Sequence, residues 1–162
     1  NIFLATDQIE KAQNALEVAI EKDPNNPILY FTVGSNFDQL SKKEGISNED
    51  RNNNFKKAEE KYLKAIELNP GYFDAIYNLG ALFYNEGVRI FEEADKITDF
   101  KEYEKEKIKY EEMWTKALPY LEKAQQINNH DFSTLVSLRT LYARLSKDED
   151  FKRINDLIKE LE

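Results

Sequence analysis

NPGYFDAIYNLGALF, residues Asn69 to Phe83, is the stretch from which the rest of the chain can be read. Its opening Asn-Pro-Gly closes one helix, because proline cannot continue it and glycine tolerates the turn that follows. The next helix opens on an apolar face of Tyr72, Ile76, Leu79 and Phe83, at the three- and four-residue spacing of an amphipathic helix. Gly80 stands in the middle of that helix, where it costs about 1 kcal/mol relative to Ala, so a close packing contact is expected to offset it. PILYFTVGSNF, Pro27 to Phe37, repeats the pattern. Tyr30, Val33, Gly34 and Phe37 fall at the same intervals as Ile76, Leu79, Gly80 and Phe83.

Working outward, the helix ends repeat as well. Ala12, Leu16, Ala19 and Pro24 share their spacing with Ala58, Tyr62, Ala65 and Pro70, and again with Ala117, Leu121, Ala124 and Asn129. A third copy of the opening half is Leu135, Leu138, Arg139 and Tyr142. These residues resemble the tetratricopeptide repeat, W-x2-L-G-x2-Y…A-x3-F…P, a helix–turn–helix of about 34 residues. The Trp of that signature is replaced in every copy. The resemblance implies an all-α fold, a right-handed α-solenoid of antiparallel helix pairs. It divides the chain into a second helix of a truncated repeat (1–24), a repeat with an insertion (27–70), a repeat with an elongated hairpin (73–129) and a degenerate capping repeat (132–162). The cap has Arg139 where the others have Gly, and its last helix turns Ile154, Ile158 and Leu161 to one side and charge to the other.

The period departs from the family in an informative way. Ala12 and Ala58 are 46 positions apart, and Ala58 and Ala117 are 59 apart. Against about 34, these repeats carry roughly 12 and 25 extra residues, both between first and second helix. Ile90, Phe91, Ala94 and Ile97 continue the apolar stripe through the larger insertion, so the spacing predicts two lengthened helices. About 12 residues each would project the hairpin roughly 18 Å beyond its neighbours. Pro119 falls inside the second of these helices and is expected to kink it near Thr115. Thr6 or Asp7, Ser47 and Thr98 or Asp99 are suited to cap helix starts. Asn52 to Asn54 read poorly as helix by propensity, but Phe55, Ala58, Tyr62 and Ala65 carry an apolar stripe on from them. Because the chain opens on a second helix, at Asn1 rather than Met, further repeats or at least one helix are expected to precede it.

Composition excludes several functions. The 162 residues suit one domain, and 5 Gly with 4 Pro are too few for the turns of an all-β fold. A net charge of -8 opposes a nucleic-acid partner, which needs clustered Lys and Arg. With no Cys there are no disulfides or thiolate metal sites. No stretch is apolar enough to insert in a membrane, so the expectation is a soluble protein, cytoplasmic, or extracytoplasmic if a leader was removed. His130 is the single histidine, in a turn with Asn128, Asn129 and Asp131, and no carboxylate is isolated in an apolar setting. No phosphate-binding loop, HExxH or GxSxG occurs. The expectation is no enzyme, no metal and no cofactor.

The resemblance implies instead that an extended peptide or partner helix binds the concave groove lined by each repeat's first helix. That places Phe31, Ser35 and Asp38 in the groove from the first full repeat, Tyr77, Asn78, Ala81, Tyr84 and Asn85 from the second, and Val136, Thr140 and Arg144 from the third. Asn78 is suited to donate to and accept from a peptide backbone. The basic positions of the family's carboxylate clamp are occupied here by Phe31, Ser133 and Ser137, leaving only Asn78, so no such clamp is expected and the groove is read as uncharged and aromatic. The run Glu102 to Glu112 reads as a solvated helix face with pairs one turn apart. Phe91, Phe100, Tyr103, Tyr110 and Trp114 are expected to zip the hairpin together. Any that face outward would offer a second surface, and the alternative function is a structural or self-association element acting through the hairpin.

Overall fold

The computed structural model describes residue 12 and residues 15–161. Among them there is helix and no strand. A helical segment at 15–22 (α1) is followed by α2 (Pro27–Ser41), α3 (Asn48–Leu68), α4 (Phe73–Ala94), α5 (Phe100–Ile127), α6 (Phe132–Arg144) and α7 (Asp148–Leu161). The expected Thr6 or Asp7 cap lies outside the described residues. Leu16, Ala19 and Ile20 of α1 are half-buried.

The starts of the helices follow from side chains that satisfy free backbone N–H groups. The Asn26 side chain accepts from Ile28 N at 3.1 Å ahead of Pro27, and Ser47 Oγ accepts from Asp50 N at 3.0 Å. Asp99 accepts from Glu102 N at 2.9 Å and Asp131 from Thr134 N at 2.8 Å. Asn69 ends α3, its N–H donating to Ala65 O at 2.9 Å. Asn52 to Asn54 are helical, as their apolar stripe predicts: burial of Ala58, Tyr62 and Ala65 outweighs the weak propensity of three Asn. α4 stops at Ala94, and Ile97 caps it from outside by donating to Ala94 O at 2.9 Å. α5 runs through Pro119 as one helix.

The chain divides between Asn78 and Leu79, inside α4, into two compact units. In the first, α2 and α3 lie antiparallel: Phe31 meets Tyr62, Lys57 lies over Phe37, and Arg51 donates to Ser41 O. A Cβ on Gly34 would lie 2.9 Å from Tyr62 Cδ1, so the ring packs directly on the glycine backbone. In the second unit α4 and α5 are antiparallel, and Gly80 is pressed by Leu121, whose Cγ would be 2.8 Å from an added Cβ. The contact on each glycine comes from the residue one turn beyond the small Ala58 or Ala117 of the facing helix. Both Ala are fully buried, but Tyr62 and Leu121 supply the nearest atoms. α6 packs on α5, with Tyr142 OH donating to Glu122 Oε1 at 2.8 Å, and α7 closes the unit with Ile154 and Ile158 buried.

At 22 and 28 residues, α4 and α5 are the long pair expected; α6 and α7 have 13 and 14. A second glycine, Gly87, allows the outer part of this hairpin to close. An added Cβ there would lie 2.5 Å from Trp114 Cδ1. Trp114, Tyr110 and Phe91 form the zipper, with ring centroids 4.8 Å apart for Tyr110–Trp114 and 5.4 Å for Phe91–Tyr110. Tyr103 joins through its hydroxyl, 3.3 Å from that of Tyr110. Phe100 does not join: it is 74% exposed at the start of α5, and Ile108 is 65% exposed beyond it.

Candidate binding surface

In the first unit, Phe31 sits between two tyrosine rings, 5.9 Å from Tyr62 and 5.3 Å from Tyr72. Half-buried Ser35 lies one helical turn further along α2. Asp38 has little surface to offer a partner: it is 8% exposed and its Oδ2 accepts from Lys42 Nζ at 2.8 Å. Its other carboxylate oxygen, Oδ1, is buried without a hydrogen-bond partner, and so is the Tyr62 hydroxyl. Burial, followed by the negative charge of Asp38, raises the Tyr62 phenol well above its ordinary pKa. Two surface pockets in this unit, of about 290 and 360 Å³, are lined by the Leu40–Asn54 corner and by Tyr30 with Glu60 to Glu67. Neither includes a residue assigned to the groove.

α4 carries five expected groove residues on one helical face, since 77, 81 and 84 and then 78 and 85 are spaced by three, four and seven. Tyr77, Asn78, Ala81 and Tyr84 are half-buried and Asn85 is exposed, while Ala75, Ile76, Leu79 and Leu82 are buried on the other side. Tyr77 stacks on Phe73 with ring planes 10° apart. The Asn78 amide is partly committed, because its Nδ2 donates to Asp74 O at 2.7 Å. One N–H and the carbonyl oxygen carry no such bond, so Asn78 retains both a donor and an acceptor.

In the second unit, Val136 and Thr140 are half-buried on α6, and Thr140 Oγ1 donates back to Val136 O at 2.9 Å. Arg144 is held quite differently. Its guanidinium carbon lies 4.8 Å from the centroid of the Trp114 ring and 5.3 Å from that of Phe91. The sequence indicated Arg144 as a groove residue and Phe91 and Trp114 as a zipper, but nothing in their spacing joined the two. Their meeting depends on where α6 docks against the hairpin. The charged run on α5 forms solvated pairs one turn apart, Lys109–Glu106 at 2.6 Å and Lys107–Glu104 at 3.8 Å. His130 is exposed in the α5–α6 turn. Among the described residues no group of three or more His, Asp or Glu could hold a metal. No described helix is long and apolar enough to cross a membrane.

Comparison with known proteins bears out the resemblance read from the repeats, over one stretch of the chain. The family model described as TPR repeat matches residues 51–87, from inside α3 to inside α4. No curated protein sequence matches significantly. Solved structures give the fold. A monomeric IFIT1 mutant with Gppp-AAAA has a TM-score of 0.53 and 13% identity, over 94% of this chain and 46% of that one. A second monomeric IFIT1 mutant, with m7Gppp-AAAA in the anti conformation of the cap, gives 0.52 and 13%, over 96% of this chain and 46% of that one. The chain therefore spans just under half the length of the structures it resembles, and the likeness supports an all-helical solenoid of repeats.

Proposed function

From a tetratricopeptide repeat at residues 51–87 within an all-helical fold, we propose a protein-interaction module that takes an extended peptide or a partner helix. The observation that carries this reading is the α4 face. Tyr77, Asn78, Ala81, Tyr84 and Asn85 form a continuous strip of partly exposed aromatic, small and amide side chains. Such a strip suits a peptide: aromatic rings contribute contact area at low entropic cost, and amides satisfy backbone groups without reading sequence. The two IFIT1 structures were solved with ligands that carry phosphates, but a net charge of -8 leaves this chain without the cation excess a polyphosphate needs.

The test is partner capture by the tagged full chain. Tyr77→Ala with Asn78→Ala should reduce capture at least about tenfold, as loss of a central interface aromatic does. If capture is unchanged by that pair but abolished by removal of residues 92–112, the groove reading fails.

A second reading has its own observation. Phe100 and Ile108 expose large apolar side chains on the hairpin, which favours self-association or spacing through that element. Light scattering decides it. A strict monomer at high concentration counts against self-association, and a dimer lost in Phe100→Ser with Ile108→Ser supports it.

A further inference from the structure

Arg144 stands at the end of α6, within the second unit. Two aromatic rings, Trp114 and Phe91, fix its guanidinium, and Trp114 is itself only 3% exposed. The Nε of Arg144 is buried without a partner, whereas the residue as a whole is half-buried. Among the described residues no carboxylate pairs with it, although the chain holds 31 Asp and Glu. Three other arginines reach oxygen acceptors: Arg89 reaches Glu86 and Glu93, Arg153 reaches Asp150, and Arg51, whose Nε is likewise buried without a partner, reaches Ser41 O. The end of α6 that carries Arg144 is itself fixed. Lys147 N donates to Tyr142 O at 2.9 Å and Ser146 N to Ala143 O at 3.3 Å, the paired bonds of a Schellman turn.

We infer that Arg144 is a receptor for a single carboxylate, and that Phe91 and Trp114 are its positioning residues. A guanidinium pairs with a carboxylate through two parallel N–H···O bonds, and contact with two rings restricts it beforehand, so less freedom is lost on binding. One cation within an acidic chain matches one negative charge. A phosphate, with nearly two, would need a second base, and Thr140 and Ser137, one and two turns before Arg144 on the same face of α6, supply none. The carboxylate can come from an acidic side chain or from a chain terminus. This deepens the groove reading, on which it rests only for the source of the carboxylate.

Trp114 is the single tryptophan of the chain, so the site contains its own reporter. Acetate is the probe, titrated into the full chain at constant ionic strength against chloride. The expected result is a saturable change in Trp114 emission, at least about twofold larger for acetate than for chloride. It should disappear in Arg144→Met, with circular dichroism confirming the fold of the variant. Should Arg144→Met fail to fold, Arg144→Lys keeps the charge without the planar fork and should weaken acetate at least about fivefold. Identical acetate and chloride responses, or an acetate response that survives in a folded Arg144→Met and is unweakened in Arg144→Lys, overturn the inference. Two peptide comparisons then assign the source: a free C-terminus against its amide, and an internal Glu against Gln. Loss of binding on amidation supports a terminus, loss with Gln supports a side chain, and no loss with either overturns Arg144 as a peptide contact. Failure of the Tyr77 and Asn78 substitutions to weaken capture would refute the groove while leaving the acetate result intact, so the two failures are distinguishable.

Discussion

A methyl group added at Gly87 has nowhere to go, and the same change at Gly80 is easier to absorb. Ala in place of either glycine gains about 1 kcal/mol of helix propensity, against roughly 1–3 kcal/mol for overpacking. At Gly80 the obstacle is the Leu121 side chain, which can rotate away. At Gly87 it is the indole of Trp114, a rigid ring already bounded by Phe91, Tyr110 and Arg144. Gly80→Ala should therefore destabilise by about 1 kcal/mol or less, and Gly87→Ala by about 2 kcal/mol with a shift in Trp114 emission. Urea unfolding of the two variants checks this, and a larger loss at Gly80 would refute it. Gly80 was legible because it recurs at Gly34. Gly87 has no counterpart in another repeat, yet a signal existed: Gly80 and Gly87 are seven apart, as are Leu121 and Trp114, which press on them.

The helices show where local rules governed and where they gave way. Pro119 is exposed on α5, so the Thr115 carbonyl it leaves unbonded is on the solvent side, and α5 continues through it. Pro119→Ala should restore that bond and raise stability by about 1–3 kcal/mol. At the end of α6, Ser146 holds φ at 54°, the left-handed conformation that glycine adopts freely. Ser146→Gly should add roughly 0.5–1 kcal/mol. Thermal melts of both variants test the pair, and a fall in midpoint for either would remove its explanation. The number of helices, their order, the caps at Ser47 and Asp99 and the long hairpin were all legible, since periodicity and capping are local properties. The last turn of α6 was not: a serine in a left-handed position leaves no sequence signal. The outward turn of Phe100 was also hidden, because an aromatic at a helix start fits the zipper pattern whether or not a partner meets it.

At the scale of the molecule, the candidate surface was less legible than the fold. Helical spacing put Tyr77, Ala81 and Tyr84 on one face, but Asp38, assigned to the same surface, is buried beside Lys42, and Arg144 owes its setting to three helices. The burial that removed Asp38 from the surface also gives the protein a dependence on alkaline pH. Tyr62, Tyr110 and Tyr142 are each 5% exposed or less, and all three have pKa values raised above the ordinary tyrosine range. Burial is the chief cause in each, joined by the Asp38 charge for Tyr62, the Tyr103 hydrogen bond for Tyr110 and the Glu122 hydrogen bond for Tyr142. In the unfolded chain these phenols ionise near pH 10, while in the folded chain they keep their protons. The folded state then binds more protons, so this stability is fully present below about pH 10 and is lost as pH rises toward the folded values. Three linked protons give a slope of up to about 4 kcal/mol per pH unit above pH 10. Melting temperature should change little on this account up to about pH 9.5 and then fall steeply, with tyrosinate absorbance from these residues appearing only on unfolding. Tyr62→Phe should make the decline shallower by about a third, and stability near neutral pH should hold within about 1 kcal/mol because the hydroxyl it removes is buried with only the Ser35 side chain near it. An unchanged slope in Tyr62→Phe, or full tyrosinate formation near pH 10 in a chain still folded, would show that these phenols do not control alkaline stability.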